Sequence, residues 1–394
     1  MRRRFYFHKG RVAFYALLKA AGLGKNDALI VPGYTCVVVP MAIRFAGCVP
    51  FYADIAGDTF SPSLEEYERT AERIKRDFAG VRLRGVVIQH TYGIPNPDSF
   101  AIVGWAKSKG LLVFEDCAHV SGSTLDGQVC GSLGHGAFFS TQWNKPYTTG
   151  LGGFADVNDE ELAERVGALH GGLPAPSMVS ALALWVQWWV HRRLVRPRGY
   201  WAAVRTYRSL TACGIVSGSS SPTELNGHMP PRYFMRMASL QRGACERLEK
   251  RAPGSQRRRI RLADHYDRLL PASGITPQCR PQGTVILRYP ILVGDRERLL
   301  KEAADGHIEL GDWFNHPLHP AGACLDNLNW DDRECPNAVS VARNVVNLPL
   351  HEHVSEEYAE KCMRFVVGAA LRHQERQRDY ETTDHGTTGH KLKS

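Results

Sequence analysis

The stretch on which the fold turns is Leu111-Leu112-Val113-Phe114-Glu115-Asp116-Cys117-Ala118-His119. Four apolar residues run straight into two carboxylates. A short, fully apolar run predicts a strand buried on both faces, and its end predicts the carboxyl edge of a parallel sheet, where α/β folds gather ligand-binding groups. Similar runs lie at 28–31, 49–53, 85–89 and 136–139, and helix-like segments at 12–21, 40–46, 63–78 and 99–109 alternate with them. Strand and helix at this spacing predict βαβ units. The residues just past each run are therefore the first candidates for chemistry: 32–35, 90–93, 116–119 and 140–145.

The 394 residues are 43% hydrophobic and 23% charged, which excludes a disordered or fibrous chain. Lys+Arg exceed Asp+Glu by 49 − 40 = 9. That excess suits an anionic ligand, a nucleic acid or a membrane surface without choosing among them. Ten cysteines are scattered with no CxxC and no zinc-ribbon spacing, so reduced thiols, no metal and a cytoplasmic location are expected. His8, Lys9 and Arg11 interrupt the apolar core a secretory signal would need after Arg2–Arg4, and no 18-residue apolar run exists. The expected organisation is a large domain over 1–250 with a helical insertion at about 160–230. A smaller α/β domain is expected over 251–372, with a helix at 257–270, a strand at 284–293 and helices at 296–304 and 355–371. A disordered polar tail is expected over 373–394.

A second apolar run ends at Ser140, and Lys145 follows between Asn144 and Pro146, outside any helix interior. Each residue alone has a plain reading: an acid capping the next helix, a solvated loop lysine. Together they suggest pyridoxal phosphate, which needs a lysine for a Schiff base and a carboxylate beside its ring nitrogen. Its phosphate needs backbone N–H donors and a hydroxyl, which Gly10-Arg11 before the first helix and Ser140 can supply.

At this point the chain resembles the DegT/DnrJ/EryC1/StrS family of PLP-dependent aminotransferases, from about Gly10 to Leu371. The likeness rests on Val31-Pro32-Gly33-Tyr34-Thr35, Gly47…Pro50…Asp54, His90-Thr91-Tyr92-Gly93-Ile94-Pro95, Glu115–His119, Gly131-Ser132-Leu133-Gly134, Ser140…Lys145 and Gly150–Gly153. Further along it includes Arg236-Met237, Pro317-Leu318-His319 and Leu348-Pro349-Leu350. The resemblance implies an α/β architecture of PLP-dependent transferase fold type I, with a large domain whose mostly parallel central sheet is flanked by helices, plus a smaller C-terminal α/β domain. It implies pyridoxal 5'-phosphate as cofactor. Lys145 would carry the cofactor and move protons, Asp116 would pair with the ring nitrogen, His119 would contact the ring hydroxyl or flank the ring, and Ser140, Gly10 and Arg11 would take the phosphate. Tyr92 and His319 would line the substrate pocket. A lysine at 145, rather than the histidine of dehydratase relatives, favours transamination.

The chain departs from the family pattern in three places. Lys9-Gly10-Arg11 replaces Ser-Gly-Thr, and Arg11 can offer the phosphate a charge-assisted bond. Cys36 stands where an aromatic residue often stacks on the ring, so Tyr34 and Cys36 are the expected cofactor contacts there, with stacking supplied by Tyr34 or weaker than in relatives. Phe234 stands where relatives place an asparagine that a neighbouring subunit donates to the phosphate. The stretch 178–207 holds Trp185, Trp188, Trp189 and Trp201 with Arg192, Arg193, Arg196, Arg198 and Arg205. Its tryptophans hold no single helical face over the whole stretch, which favours packing on the core or across a dimer over a membrane interface or a substrate wall. Lys250–Arg261, with Arg251, Arg257, Arg258, Arg259 and Arg261, reads as a solvated helix face, and no nucleic-acid module surrounds it. The expected protein is a homodimer that moves an amino group from an amino acid, by family habit glutamate, to a keto sugar carried on a nucleotide, for a polysaccharide or secondary metabolite. The alternatives are a non-catalytic regulator that keeps the fold, a relative doing elimination or epimerisation, or one that aminates a cyclitol.

Overall fold

The structure, a computed structural model, describes residues 2–194, 202, 205–206, 209, 218–273 and 275–369. The expected tail over 373–394 and most of 195–217 lie outside the described residues. The chain opens with β1 (Arg3–Phe7), α1 (Gly10–Ala20), β2 (Asp27–Pro32), β3 (Thr35–Cys36), α2 (Val38–Phe45), β4 (Val49–Ala53), α3 (Leu64–Asp77), β5 (Arg82–Gln89), α4 (Ser99–Ser108) and β6 (Leu112–Asp116). A small hairpin, β7 (Thr124–Leu125) and β8 (Gln128–Val129), precedes β9 (Gly136–Ser140), β10 (Gly153–Val157), α5 (Glu160–Gly171) and α6 (Met178–Leu194). The central sheet has the order β1-β10-β9-β6-β5-β2-β4. Its five strands from β9 to β4 are parallel, and β10 and β1 close one edge antiparallel.

Strand after strand divides its side chains between two cores, as a doubly covered sheet requires. Leu29, Val31, Val87, Phe114 and Phe138 face Phe14 and Leu17 of α1 and Val166 of α5. Ala28, Ile30, Val86, Ile88 and Val113 face Tyr67 and Ile74 of α3 and Ile102 of α4. Burying one Leu- or Phe-sized side chain is worth about 2 kcal/mol, so these two layers supply the drive that fixes the register. The alternating helices and strands are found within a few residues of their expected bounds. The antiparallel edge strands β1 and β10 are not among the expected elements: β1 carries Arg3 and Arg4 and shows no continuous apolar run over its length.

The second half contains α7 (Pro222–Leu225), α8 (Ser239–Leu269), β11 (Tyr289–Leu292), α9 (Arg296–Asp305), β12 (Leu318–His319), α10 (Pro336–Asn344), β13 (Val345–Leu348) and a last helix over 356–369. The helix expected over 257–270 is instead the 31-residue α8, which continues through Pro253 and Gly254. A proline inside a helix costs roughly 3 kcal/mol. Burial of Cys245, Ala252, Leu262, Ala263 and Tyr266 along the same helix offsets it. The expected domain boundary at 250/251 therefore falls inside one helix. The expected strand over 284–293 shortens to four residues that pair antiparallel with β13.

Helix α6 divides its tryptophans between two faces. Ala181, Leu184 and Trp188 turn inward, with the Trp188 indole donating to the Thr148 carbonyl at 2.6 Å. Val179, Leu182, Trp185, Val186 and Trp189 turn outward and are exposed. Among the described residues, no helix is long and apolar enough to cross a membrane.

Candidate active site

The site begins where β6 stops. Glu115 and Asp116 are sequence neighbours on opposite sheet faces, and their surroundings differ. Glu115 accepts from the backbone N–H groups of Gly131 (2.6 Å), Leu133 (2.7 Å) and Gly134 (3.0 Å), and meets the His90 ring at 3.2 Å. Its pKa is lowered: His90 and these amides outweigh the burial that opposes ionisation. Glu115, His90 and Cys117 cluster closely enough to suggest a metal. However, the Glu115 oxygens are already taken by N–H donors, so the cluster is a structural knot. Asp116 is 5% exposed and accepts one bond, from the Ala118 N–H at 2.9 Å. Burial raises its pKa to about 6, against the pull of Lys145. It is a carboxylate left short of a cation.

Lys145 stands five residues past the end of β9, the strand beside β6. Burial lowers its amine to a pKa of about 8 despite the proximity of Cys36 and Asp116. Its Nζ lies 4.9 Å from the centre of the Trp313 indole. His119 closes the site from the β6 side. Its Nδ1 accepts from the Tyr92 N–H at 3.1 Å, which leaves the proton on Nε2. Its ring sits 4.6 Å from Trp313, and burial holds its pKa well below the ordinary value, so the imidazole is neutral. Tyr92 reaches this position with φ +58°, a strained backbone for a tyrosine. Tyr92 therefore positions His119 through its backbone, while its hydroxyl bonds that of Tyr34 at 2.8 Å.

The phosphate-side residues also come together. A Cβ on Gly10 would lie 2.8 Å from the Phe139 carbonyl and 3.0 Å from Ser140 Cβ, so only glycine lets α1 start against the end of β9. No side chain caps the first turn of α1. Arg11 is buried there, but its guanidinium is already engaged. It pairs with Glu224 Oε1 at 2.6 Å and donates to Ser220 Oγ (2.9 Å), the Ser219 carbonyl (3.0 Å) and Gln142 Oε1 (3.3 Å). Lys9 Nζ lies 3.5 Å from the other Glu224 oxygen, and burial lowers its pKa to about 8. Two cations to one carboxylate leave a net positive charge beside Ser140.

Other expected residues stand further out. Tyr34 is fully buried among Phe60, Tyr92 and Phe314, and its hydroxyl donates to the Phe314 carbonyl at 2.9 Å, so its ring is spent on the core. Cys36 pairs through β3 with His319 of β12. The His319 ring stacks on Phe314 at 5.0 Å and meets Asn315 Oδ1 at 3.2 Å, and burial lowers its pKa to about 3. Phe234 packs on Tyr15 and Phe7 and offers no polar group. Arg259 corrects the expectation of a solvated face: it is 8% exposed and donates to the Pro146 carbonyl at 3.0 Å, beside Lys145. Pattern reading missed Trp313, Arg288 and Glu224 as well. None sits just past the carboxyl end of a strand, and no local signal marks them.

The residues present suit pyridoxal phosphate. A buried carboxylate lacks a cation, an amine of lowered pKa stands on the neighbouring strand's loop, and a glycine-enforced cradle with net positive charge lies beside a hydroxyl. Together with the parallel sheet, they define the class of PLP-dependent transferases of fold type I. The family model described as the DegT/DnrJ/EryC1/StrS aminotransferase family matches residues 7–174 and 202–367, and the chain belongs to that family. Its cofactor is pyridoxal 5'-phosphate. The unmatched residues 175–201 include all of α6.

Among curated proteins, GDP-perosamine synthase of Escherichia coli O157:H7 is 34% identical over 156 residues, 40% of each chain. A dTDP-4-dehydro-2,3,6-trideoxy-D-glucose 4-aminotransferase of Saccharopolyspora spinosa is 24% identical over 357 residues, 89% of this chain and 80% of that one. Among solved structures, a DegT DnrJ EryC1 StrS aminotransferase from Brucella abortus superposes with a TM-score of 0.72 at 19% identity, covering 93% of this chain and 86% of that one.

Proposed function

We propose that this protein transfers an amino group from an amino acid to the keto group of a nucleotide-linked sugar. The observation that carries the reading is the pairing of Asp116 and Lys145 on adjacent strand ends, both held near neutrality by burial. Bound pyridoxal phosphate supplies an electron sink for the carbon that gains or loses nitrogen. Asp116 is placed to hold a proton on the ring nitrogen, since a cation there relieves its own buried charge. Lys145, with a pKa of about 8, can both release and take up a proton at Nζ near physiological pH. His119, neutral with its proton on Nε2, can donate to an oxygen beside the ring. Ser140 and the first turn of α1 would take the phosphate, and the net positive charge that Lys9 and Arg11 leave over Glu224 favours an anion there. The nucleotide-linked acceptor is supported by the names of the two curated relatives.

The reading includes a cytoplasmic homodimer. The nine described cysteines are all free. The exposed apolar face of α6 is surface that a second copy could cover. The test is direct: the purified protein, loaded with cofactor, is mixed with glutamate and then with a panel of keto-sugar nucleotides. The expected outcome is loss of the cofactor's yellow band on the first addition and its return on the second. A protein whose band ignores every amino acid refutes the reading.

A further inference from the structure

A cavity of about 350 Å³ opens beside Lys145, and three arginines, Arg251, Arg259 and Arg288, line it. Its carboxylates are Glu309 and Glu352. Glu309 is bound by the His351 ring at 2.9 and 3.0 Å, and His353 lies 3.8 Å from Glu352. Arg259 is buried, and it spends one N–H on the Pro146 carbonyl. Arg288 is half-buried at the foot of β11. Among the described residues it makes no hydrogen bond and no ion pair; it lies over the Trp313 indole, 4.8 Å from the ring centre. Lys145 Nζ lies 4.9 Å from the same ring centre. Two guanidinium groups that feel each other's charge, in a cavity whose acids are engaged elsewhere, raise the free energy of the empty protein. An anion bound between them relieves that cost.

We propose that Arg288, backed by Arg259, binds the α-carboxylate of the amino donor. The shared indole decides the ligand. In an amino acid the carboxylate is one carbon away from the nitrogen that is handed over, so its cation must sit close to the Lys145 amine. The diphosphate of a sugar nucleotide lies a whole ring further out. A guanidinium offers a carboxylate two parallel N–H bonds, and Trp313 holds the fork in place by stacking. This assignment rests on the aminotransferase reading and names the site that reading lacks.

The experiment titrates the cofactor-loaded protein calorimetrically with glutarate, which is glutamate without its amine, and separately with thymidine diphosphate. Arg288→Gln is expected to weaken glutarate at least tenfold and to leave the diphosphate within twofold. Arg288→Lys, which keeps the charge but loses the fork, is expected to weaken glutarate three- to tenfold, and it decides the matter if the glutamine variant does not fold. Unchanged glutarate binding in a folded variant, loss of diphosphate instead of glutarate, or a wild-type protein that binds no glutarate overturns the proposal. Failure of the broader reading has a different signature: glutarate binds through Arg288, yet no amino acid bleaches the cofactor.

Discussion

The two ends of the cofactor site solve the same electrostatic problem in opposite ways. At the ring end the protein buries Asp116 and Lys145 and leaves each short of a counter-charge, so burial drives both toward neutrality. At the phosphate end it buries Arg11 and supplies a counter-ion, Glu224, from a different part of the chain. The ring end is destabilised until its ligand arrives, whereas the phosphate end offsets part of its charge beforehand. A site can thus hold one group poised for chemistry and another that acts as scaffold, and the difference lies in which charges the fold compensates.

The comparison can be broken at either end, and the largest effect is expected at Lys145. Lys145→Ala removes the amine that moves the proton, and nitrogen transfer should fall by about 10³-fold or more. An unchanged transfer rate would show that the ring end is not where chemistry happens. At the phosphate end, Glu224→Gln leaves Arg11 and Lys9 buried without a full counter-charge, which costs about 3 kcal/mol. The cofactor-free variant should therefore melt well below wild type, and added inorganic phosphate should restore much of the loss. A variant that melts like wild type would mean this end does not rely on its own counter-ion.

Asp116→Asn tests the opposite sign. The folded state holds the Asp116 proton to a pKa of about 6, against an ordinary 3.8. Between those values the folded protein binds more protons than the unfolded chain, so stability falls as pH rises from about 4 through 6. The difference is worth about 3 kcal/mol. Cofactor-free Asp116→Asn should lose this slope and be more stable than wild type at pH 7 in urea melts, while amino transfer drops. The smallest effect is expected at the glycine that shapes the phosphate end. Gly10→Ala puts a methyl 2.8 Å from the Phe139 carbonyl and should cost about 1–2 kcal/mol in stability, with cofactor affinity reduced through displacement of Ser140.

How far the sequence reaches is visible at these same residues. Asp116, His119, Ser140 and Lys145 each follow an apolar run, and a parallel sheet brings the ends of such runs to one edge. Their convergence was legible before any coordinates. Tyr92 was legible as a site neighbour, but its use of a backbone N–H to fix His119 depends on a φ of +58° that no composition announces. Arg259 looked solvated because five arginines crowd 251–261; only the packing of α8 against the Lys145 loop turns that one inward.

The sequence by itself determined the parallel sheet, the lysine–carboxylate pair and the glycine at the start of α1. These are set by period, by strand ends and by steric need, all of which act over a few residues. Tertiary structure alone decided that Glu224 neutralises Arg11, that Trp313 bridges Lys145 and Arg288, and that α6 turns two tryptophans outward and one inward. Those outcomes depend on which distant segments share a low-dielectric interior, where a charge 200 residues away along the chain outweighs every neighbour in sequence.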